Sequence, residues 1–331
     1  MKKLALITGH LYVYWSDIVT LLAAGAALCL FLALYPRRGK RMVSALLYSL
    51  LAGILSPMLS RLAYWYFRPD SYASLSAVLD WQQPGGSMLA GAFAGCLLAA
   101  VLLRFLRMVR SLPDLLDCLS IAGCVGIAVG RLACFFNTDN RGMLLAGSLG
   151  LPWVVATVNP VSGAMEYRLA TFLLQSISAG VIGLALLAVY LAGNGKPGDT
   201  ALLFLMFYGA SQVLLDSTRY DSLYFRSNGF VSIVQVLGAC ALGLTAVVFS
   251  VRLVRHRGWR GWYAVLWTAL AGTLGLAGFM EYFVQRWSKK LAFGYSVMTA
   301  ALAVVVVLVL VVRGLAVSAE KKEFAFRQQS R

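Results

Sequence analysis

Charged side chains are scarce in this 331-residue chain: they account for 13% of the residues, whereas hydrophobic side chains account for 60%. A soluble globular domain carries about 25% charged residues, so this composition excludes an ordinary soluble protein. The apolar runs also lack the period-two alternation of a lipid-facing β-barrel, and helices satisfy their own backbone hydrogen bonds within lipid. The sequence therefore predicts an all-α, polytopic membrane protein.

Residues that commonly ligate metals are also few. The two histidines, His10 and His256, are far apart in sequence, and none of the six cysteines belongs to a CxxC pair or a zinc-ligand spacing. Most of the cysteines lie inside apolar runs, where they behave as small hydrophobic residues. We expect no metal site, no cofactor and no structural disulfide.

Long apolar segments are abundant, and they predict nine membrane-spanning helices. A helix needs about 20 mostly apolar residues to cross a hydrocarbon core of about 30 Å. The predicted spans are 17–36, 43–67, 88–106, 115–133, 171–192, 200–216, 229–251, 263–284 and 294–313. The 200–216 segment is the shortest of these spans.

Basic residues predict the orientation of the spans. Clusters of arginine and lysine follow spans 1, 3, 7 and 9, and the positive-inside rule places such loops in the cytoplasm. The N-terminus is then outside and the C-terminus inside. The net charge of +16 reflects this topology and an attraction to anionic membrane lipids, so we expect no nucleic-acid partner.

A polar cluster interrupts the apolar sequence at the end of span 4, where GRLACFFNTDNRG runs from Gly130 to Gly142. Ionisable groups at membrane depth are costly unless they line a cavity or meet a partner, so Arg131, Asp139 and Arg141 require an explanation. One explanation is that they mark the exit of the helix at the level of the lipid headgroups. The other is that they form a functional site on the outer side of the membrane.

Two segments upstream of this motif each allow two interpretations. Arg61 lies about two turns before the end of span 2, where its side chain either extends to the headgroups or faces a polar cavity. Gly85 and Gly86 form a turn before span 3, and small residues recur every four positions after it. Such spacing usually indicates close helix packing, although a backbone-lined groove for a ligand would use the same residues.

Span 6 carries a third polar group in the segment FYGASQVLLDSTRYD. Gln212, Asp216 and Arg219 recur at spacings of four and three residues, so they share one face of a helix. Asp216 and Arg219 either form an ion pair that only neutralises itself or belong to a binding site.

Five stretches of this chain resemble, in order, the bacterial prolipoprotein diacylglyceryl transferases, integral membrane enzymes with seven spans and an outside N-terminus. The stretches are SRLAYWYF, W-x(3)-GG-x(4)-G-x(3)-G from Trp81, DLLDCLSIAGCVGIAVGRLACFFN-x-D-x-x-G, FYG-x(6)-D-x-x-R and SNGFVSIVQVLG. The resemblance extends over roughly residues 10–250. The resemblance implies a transferase-like membrane domain over 1–254, an added two-helix hairpin over 255–316 and a cytoplasmic tail over 317–331.

The resemblance also implies a reaction. Enzymes of this family transfer the diacylglyceryl group of phosphatidylglycerol to the lipobox cysteine of a prolipoprotein in the bacterial cytoplasmic membrane, releasing glycerol phosphate. The family's central arginine corresponds to Arg131, and its asparagine and acid correspond to Asn137 and Asp139. The implied catalytic residues are Arg131 and Asp139, and the implied substrate-binding residues are Arg61, Gly85, Gly86, Gly130, Asn137, Arg141, Gln212, Asp216 and Arg219.

Several family residues are replaced in this chain. The family's proposed catalytic histidine falls on Ala90, its second arginine on Gln212, its glutamate of span 5 on Gln175 and a motif asparagine on Cys134. A base that deprotonates the acceptor thiol would then be Asp139, Asp216, Glu166 or solvent. An inactive or repurposed relative that binds anionic lipid is therefore an alternative, whereas the absence of a clear internal repeat argues against a transporter.

Overall fold

The computed structural model describes residues 4–8, 11–39, 41–80, 85–145, 150–159, 162–193, 195–225, 228–287 and 290–329. Within these ranges eight helices are long and apolar enough to cross a membrane, and one further apolar helix is shorter. The protein is therefore an all-α multi-pass membrane protein, as its composition predicts. The helices are α1 (Trp15–Leu34), α2 (Met42–Phe67), α3 (Leu75–Leu79), α4 (Leu89–Phe105), α5 (Leu112–Arg131), α6 (Thr171–Leu191), α7 (Asp199–Ser217), α8 (Ile233–Arg257), α9 (Trp262–Arg286) and α10 (Leu291–Gln329).

The lengths of α4 and α7 correct one expectation. The sequence predicts 200–216 as the shortest span, but α7 has 19 residues and α4 has 17. The start of α7 is capped by the buried carboxylate of Asp117, which accepts hydrogen bonds from the backbone N–H groups of Gly198 and Ala201 at 2.8 and 2.9 Å. An acceptor at this position satisfies donors that every helix N-terminus leaves open.

The longest helix, α10, continues beyond the predicted span. Its 39 residues extend for about 58 Å at about 1.5 Å per residue, nearly twice a hydrocarbon core of about 30 Å. The helix runs through residue 317 to Gln329 without interruption, so most of the predicted tail continues the helix.

Short strands accompany the helices, and the sequence does not predict them. They are β1 (Leu4–Thr8), β2 (Leu11–Tyr14), β3 (Leu144–Leu145), β4 (Val154–Val158), β5 (Met165–Leu169), β6 (Tyr224–Phe225) and β7 (Asn228–Ser232). β1 and β2 form an antiparallel hairpin, and β3, β5 and β4 form an antiparallel sheet in that order. This sheet, called here the outer sheet, lies between α5 and α6 in sequence.

The chain forms two compact units. The first unit comprises Met1–Phe204 and Leu223–Ser227, and the second comprises Leu205–Ser222 and Asn228–Arg331. The division into 1–254, 255–316 and 317–331 follows from the family resemblance and stays a prediction.

Small residues hold α2 and α4 together in the first unit. A β-carbon at Gly95 would lie 2.5 Å from the carbonyl oxygen of Leu55, and one at Gly91 would collide with the backbone of α2. Ser60 clamps the start of α4, because its hydroxyl donates to the Met88 carbonyl at 2.9 Å and its own carbonyl accepts from the Met88 N–H at 3.1 Å. The close-packing interpretation of the glycine spacing is therefore confirmed.

The helices α1 and α6 pack antiparallel to α5. Gly130 faces Ala23 of α1, Gly126 faces Ala27 one turn away, and the Ser176 hydroxyl of α6 donates to the Ala128 carbonyl at 2.5 Å. Antiparallel pairing places the C-terminal ends of α2 and α5 together with the N-terminal ends of α1, α4 and α6. The outer sheet and the motif after α5 lie at this end, which the positive-inside rule places outside.

The contact between α2 and α4 gives a first prediction. Replacing Gly95 by alanine should lower the free energy of unfolding by about 1–3 kcal/mol, because the added methyl group overpacks a backbone contact. The matched control is Gly53→Ala in α2, where a β-carbon would meet no atom of the described chain within 4 Å. Thermal unfolding in detergent micelles should show a lower midpoint for Gly95→Ala alone. Equal midpoints for the two variants would contradict the packing.

Candidate active site

The polar motif after α5 folds as a tight turn that contacts the start of α6. Arg131 is the last residue of α5, and a 3-10 helix follows over Leu132–Phe136. The Asn137 side chain then accepts a hydrogen bond from the Asp139 N–H at 3.0 Å. Asn140 adopts a left-handed conformation with φ of 56°, which asparagine tolerates better than most residues. Its carbonyl accepts from the Phe172 N–H of α6 at 3.1 Å.

Arg141 fastens this turn to the outer sheet. The side chain is buried, and its guanidinium donates to the carbonyl oxygens of Ala156 in β4 and Asn137, at 3.0 and 2.9 Å. A buried cation is tolerated where it meets several acceptors, and each charge-assisted hydrogen bond is stronger than a neutral one. The structure thus gives Arg141 a contact with the predicted site residue Asn137 and a clear role in holding the turn.

Arg131 differs from Arg61, Arg141 and Arg168, three other arginines near this end of the first unit. It is half-buried, and among the described residues nothing forms a hydrogen bond or an ion pair with its guanidinium. Arg61, Arg141 and Arg168 all donate to protein oxygens. A guanidinium is a planar donor suited to carboxylate and phosphate groups, so Arg131 offers the most available cation of this set for an anionic ligand.

The outer sheet contains Glu166 in a position that disfavours a role as a base. Its carboxylate accepts from Asn159 at 2.5 Å and from Arg168 at 2.8 Å. These two hydrogen bonds lower the pKa of Glu166 below its ordinary value, the Asn159 bond having the larger effect. A carboxylate that is held in its charged form takes up a proton less readily.

Arg61 organises the segment between α2 and α4. Its guanidinium donates to the carbonyl oxygens of Val78, Ala77 and Asp80 at 2.7, 3.2 and 3.0 Å, at the C-terminal end of the short helix α3. It also lies over the ring of Tyr72, 5.0 Å from the ring centre. The Arg61 side chain therefore binds the backbone of a neighbouring segment. Neither of the two predicted interpretations, extension to the headgroups or exposure to a cavity, describes this contact.

The two glycines before α4 are explained by the same arrangement. A β-carbon at Gly85 would overlap the ring of Tyr72, and one at Gly86 would overlap the ring of Tyr64. The Tyr72 hydroxyl donates to the Gly86 carbonyl at 2.6 Å, and burial raises the pKa of this hydroxyl, which keeps it a donor. The glycines thus allow two aromatic rings to approach the backbone. Trp81 of the same motif lies outside the described residues.

The predicted site residues of α7 belong to the second unit. The buried carboxylate of Asp216 accepts from Arg219 at 2.8 Å, from Ser222 at 3.0 Å and, through a short bond, from Ser232. Arg219 also pairs with Asp221 at 3.0 Å. Although burial disfavours the charge on Arg219, Asp216 and Asp221 outweigh it and raise the pKa of this arginine. The predicted ion pair of Asp216 and Arg219 is therefore present, within a larger network.

The four positions at which the resemblance implies a departure from the family lie in packed surroundings. Gln175 and Gln212 are buried, and the Gln212 amide is 3.5 Å from the Ser211 hydroxyl. Cys134 is buried, and its sulfur accepts from the Asn140 side chain at 3.3 Å. Ala90 is half-buried on the first turn of α4. Of the two histidines, His10 lies outside the described residues. His256, in the second unit, is therefore the one histidine within the described residues.

The comparisons with known proteins agree with the motifs. The sequence profile of the family described as prolipoprotein diacylglyceryl transferase matches residues 3–251. The chain belongs to this family. It is similar to proteins named phosphatidylglycerol–prolipoprotein diacylglyceryl transferase. The one from Lactococcus lactis subsp. cremoris is 29% identical over 262 residues, which are 77% of this chain and 96% of that protein.

Two further relatives have the same name. The Streptococcus suis protein is 30% identical over 233 residues, which are 68% of this chain and 84% of that protein. The Gloeobacter violaceus protein is 30% identical over 248 residues, covering 71% of this chain and 89% of that protein. The predicted membership of a transferase family is confirmed. The helices α9 and α10 lie beyond the residues that match the prolipoprotein diacylglyceryl transferase profile.

Two residues that donate hydrogen bonds to the Asp216 carboxylate, Ser222 and Ser232, are absent from the predicted site. Ser232 begins α8, where its hydroxyl accepts from the Gln235 N–H at 3.1 Å and the Gln235 side chain accepts from the Ser232 N–H at 2.9 Å. This reciprocal capping box has a sequence signature, a serine followed three residues later by glutamine, and that signal could have identified the start of α8. For Ser222, whose neighbours in sequence are not helical, the chain offers no comparable pattern.

Proposed function

We propose that this prolipoprotein diacylglyceryl transferase family member moves the diacylglyceryl group of phosphatidylglycerol to the lipobox cysteine of a prolipoprotein. The cysteine sulfur forms a bond to the glyceryl carbon that carries the phosphate. The bond between that carbon and the phosphate oxygen breaks, and glycerol phosphate leaves with the electron pair. The thiol proton passes to a base or to solvent. The bacterial cytoplasmic membrane, as a phosphatidylglycerol-containing bilayer, is the proposed location.

The availability of Arg131 is the observation that carries this proposal. Its guanidinium meets no hydrogen-bonding or ionic partner among the described residues, at the end of the unit where the motif of the family lies. A fixed cation beside the phosphodiester would anchor the lipid head and stabilise the negative charge that develops on the leaving phosphate. The network around Arg141 would hold the turn that follows Arg131 in place.

Asp139 is the carboxylate that best suits the role of base. Glu166 is held in its charged form by Asn159 and Arg168, and Asp216 already accepts three hydrogen bonds. Asp139 is exposed in the turn that begins eight residues earlier at Arg131. Its exposed side chain can therefore meet an incoming thiol or the glycerol hydroxyls, although within the described chain it forms no hydrogen bond or ion pair with Arg131.

The test of this function is a transfer assay with purified protein. Phosphatidylglycerol labelled in the diacylglyceryl group is supplied in mixed micelles together with a lipobox peptide, and the labelled peptide and released glycerol phosphate are measured. Label on the peptide in equal amount to glycerol phosphate would support the proposal. A peptide with serine in place of the cysteine should remain unlabelled. Lipid that co-purifies without any transfer would instead favour the alternative of a lipid-binding relative, which the names of the relatives do not favour.

Two carboxylate-to-amide substitutions separate the candidate bases. At pH 7.5 about a tenth of a free thiol with a pKa of about 8.5 is ionised, so a base that accepts the proton as the sulfur attacks can raise the transfer rate by about tenfold. We expect Asp139→Asn to lower the transfer rate by about tenfold at pH 7.5 and to approach the wild-type rate at pH 9.5, where solvent alone ionises the thiol. The measurement is the transfer rate as a function of pH.

The matched control for this prediction is Glu166→Gln in the outer sheet. Because the pKa of Glu166 is lowered, its charged interactions are retained above its ordinary pKa and are lost only as the pH falls through the lowered value. Over pH 7.5–9.5 this variant should keep a transfer rate within about twofold of wild type and the same pH profile. A tenfold loss for Glu166→Gln, with Asp139→Asn unaffected, would reverse the assignment.

A further inference from the structure

The C-terminal end of α7 is fastened by a contact from outside the family region. The Tyr295 hydroxyl, in the first turns of α10, donates to the carbonyl oxygen of Ser217 at 3.2 Å. The Ser217 hydroxyl lies 3.5 Å from the hydroxyl oxygen of Tyr295. Ser217 is the last residue of α7 and follows Asp216 directly, so this contact is adjacent to the Asp216 network.

Three other carbonyl groups near this end of α7 accept hydrogen bonds from side chains of the family region. The Gln235 side chain donates to the Val213 carbonyl at 3.2 Å, the Thr218 hydroxyl to the Leu215 carbonyl at 2.8 Å, and the Ser222 hydroxyl to the Asp216 carbonyl at 3.1 Å. A helix leaves its last four carbonyls without helical partners, and in a membrane protein unsatisfied carbonyls are costly. From outside the family region, Tyr295 therefore supplies a donor to the carbonyl of Ser217, the last residue of α7.

The hairpin of α9 and α10 can restrain the end of α7 because the hairpin itself is bound to α8. The Trp267 indole N–H in α9 donates to the Ser250 hydroxyl in α8 at 2.9 Å. At the far end of α8, His256 lies 3.2 Å from Glu320 of α10. A contact made by a rigid element restrains its partner more strongly than one made by a mobile loop.

We propose that Tyr295 is a positioning residue for the transferase reaction: it acts through Ser217 to hold the α7 end that carries Asp216 and Arg219. This inference rests on the proposed function and assigns a role to the added hairpin. Arg219, fixed between Asp216 and Asp221, keeps its orientation only while the end of α7 is fixed. The hairpin is thus part of the substrate-binding scaffold and more than an additional membrane anchor.

The test uses Tyr295→Phe in the full chain, which removes one hydroxyl group and keeps the ring. The matched control is Ser296→Ala, which removes an exposed hydroxyl whose partner among the described residues is the Ala292 carbonyl of the same helix, at 2.8 Å. Two quantities are measured on each protein: KM and kcat for phosphatidylglycerol in the transfer assay, and hydrogen exchange of the amides of residues 213–222.

For Tyr295→Phe we expect KM to rise about fivefold with kcat retained, on the scale of one hydrogen bond, and faster exchange at the α7 end. Ser296→Ala should match wild type in both. A lower kcat with unchanged KM would mean only a smaller folded fraction and would overturn the inference, as would wild-type values for Tyr295→Phe.

The wild-type protein distinguishes the two proposals. If it shows no transfer, the proposed function and this inference are overturned together. If it shows transfer and Tyr295→Phe is unaffected, the inference alone is overturned.

Discussion

Replacing Arg131 by alanine is expected to lower the transfer rate by about 10²–10³-fold, the loss seen when one preorganised donor to a developing anion is removed. The substitution should leave the folded protein intact, because the described residues give this guanidinium no hydrogen bond or ion pair to lose. The hydrogen bonds that the guanidinium can donate are therefore available to the phosphate of the lipid. The measurement is label transfer to a lipobox peptide, with thermal unfolding recorded on the same preparation.

Two variants define the specificity of the Arg131 effect. Arg131→Lys should keep part of the activity, since lysine supplies a point charge but not the planar pair of donors that suits a phosphate. Arg68→Ala removes an exposed arginine at the end of α2, on the same end of the first unit, and should change the rate by less than about twofold. Comparable losses for Arg131→Ala and Arg68→Ala would show that only the general positive charge matters, and would remove Arg131 from the proposed site.

The sequence predicts the helices of this protein well because lipid imposes a strong and simple constraint. Each span must be apolar over about 20 residues, and that property is visible in composition alone. The exact ends are less visible, since they depend on partners distant in sequence. α4 starts where Met88 meets Ser60, and α7 starts where Asp117 meets Gly198, and neither contact has a local signal.

The outer sheet shows a different limit of sequence analysis. β3 has two residues and β4 and β5 have five each, which is too short for a period-two pattern to stand out. The sheet is held in part by Arg141, whose side chain donates to a backbone carbonyl of β4. Every residue has a carbonyl, so a sequence does not identify which one an arginine will meet.

The same limit explains why the motif arginines look alike in sequence and differ in the structure. Arg61, Arg141 and Arg219 are committed to protein oxygens, whereas the described chain supplies Arg131 with no such acceptor. The family resemblance singles out Arg131 by its place in a motif. The structure gives an independent physical reason for the same choice. Arg61 and Arg141 donate to backbone carbonyls, and Arg219 pairs with two carboxylates.

Asp216→Ala should be the most destabilising single substitution in the second unit, lowering the free energy of unfolding by about 3–5 kcal/mol. The variant leaves Arg219 buried with one carboxylate fewer, and it leaves Ser222 and Ser232 without their shared acceptor. The measurement is unfolding in mixed micelles with increasing denaturing detergent. The control is Asp221→Ala, whose side chain is 22% exposed and whose loss should cost no more than about 1 kcal/mol.

A double substitution decides between a structural and a chemical role for Asp216. If the loss in Asp216→Ala comes from the stranded charge on Arg219, then Asp216→Ala combined with Arg219→Met should recover much of the stability, because a buried apolar side chain needs no partner. Transfer measured per folded molecule would then fall mainly through substrate binding. A stable Asp216→Ala protein that binds phosphatidylglycerol but transfers nothing would instead make Asp216 the base, and Asp139→Asn should in that case retain the wild-type pH profile.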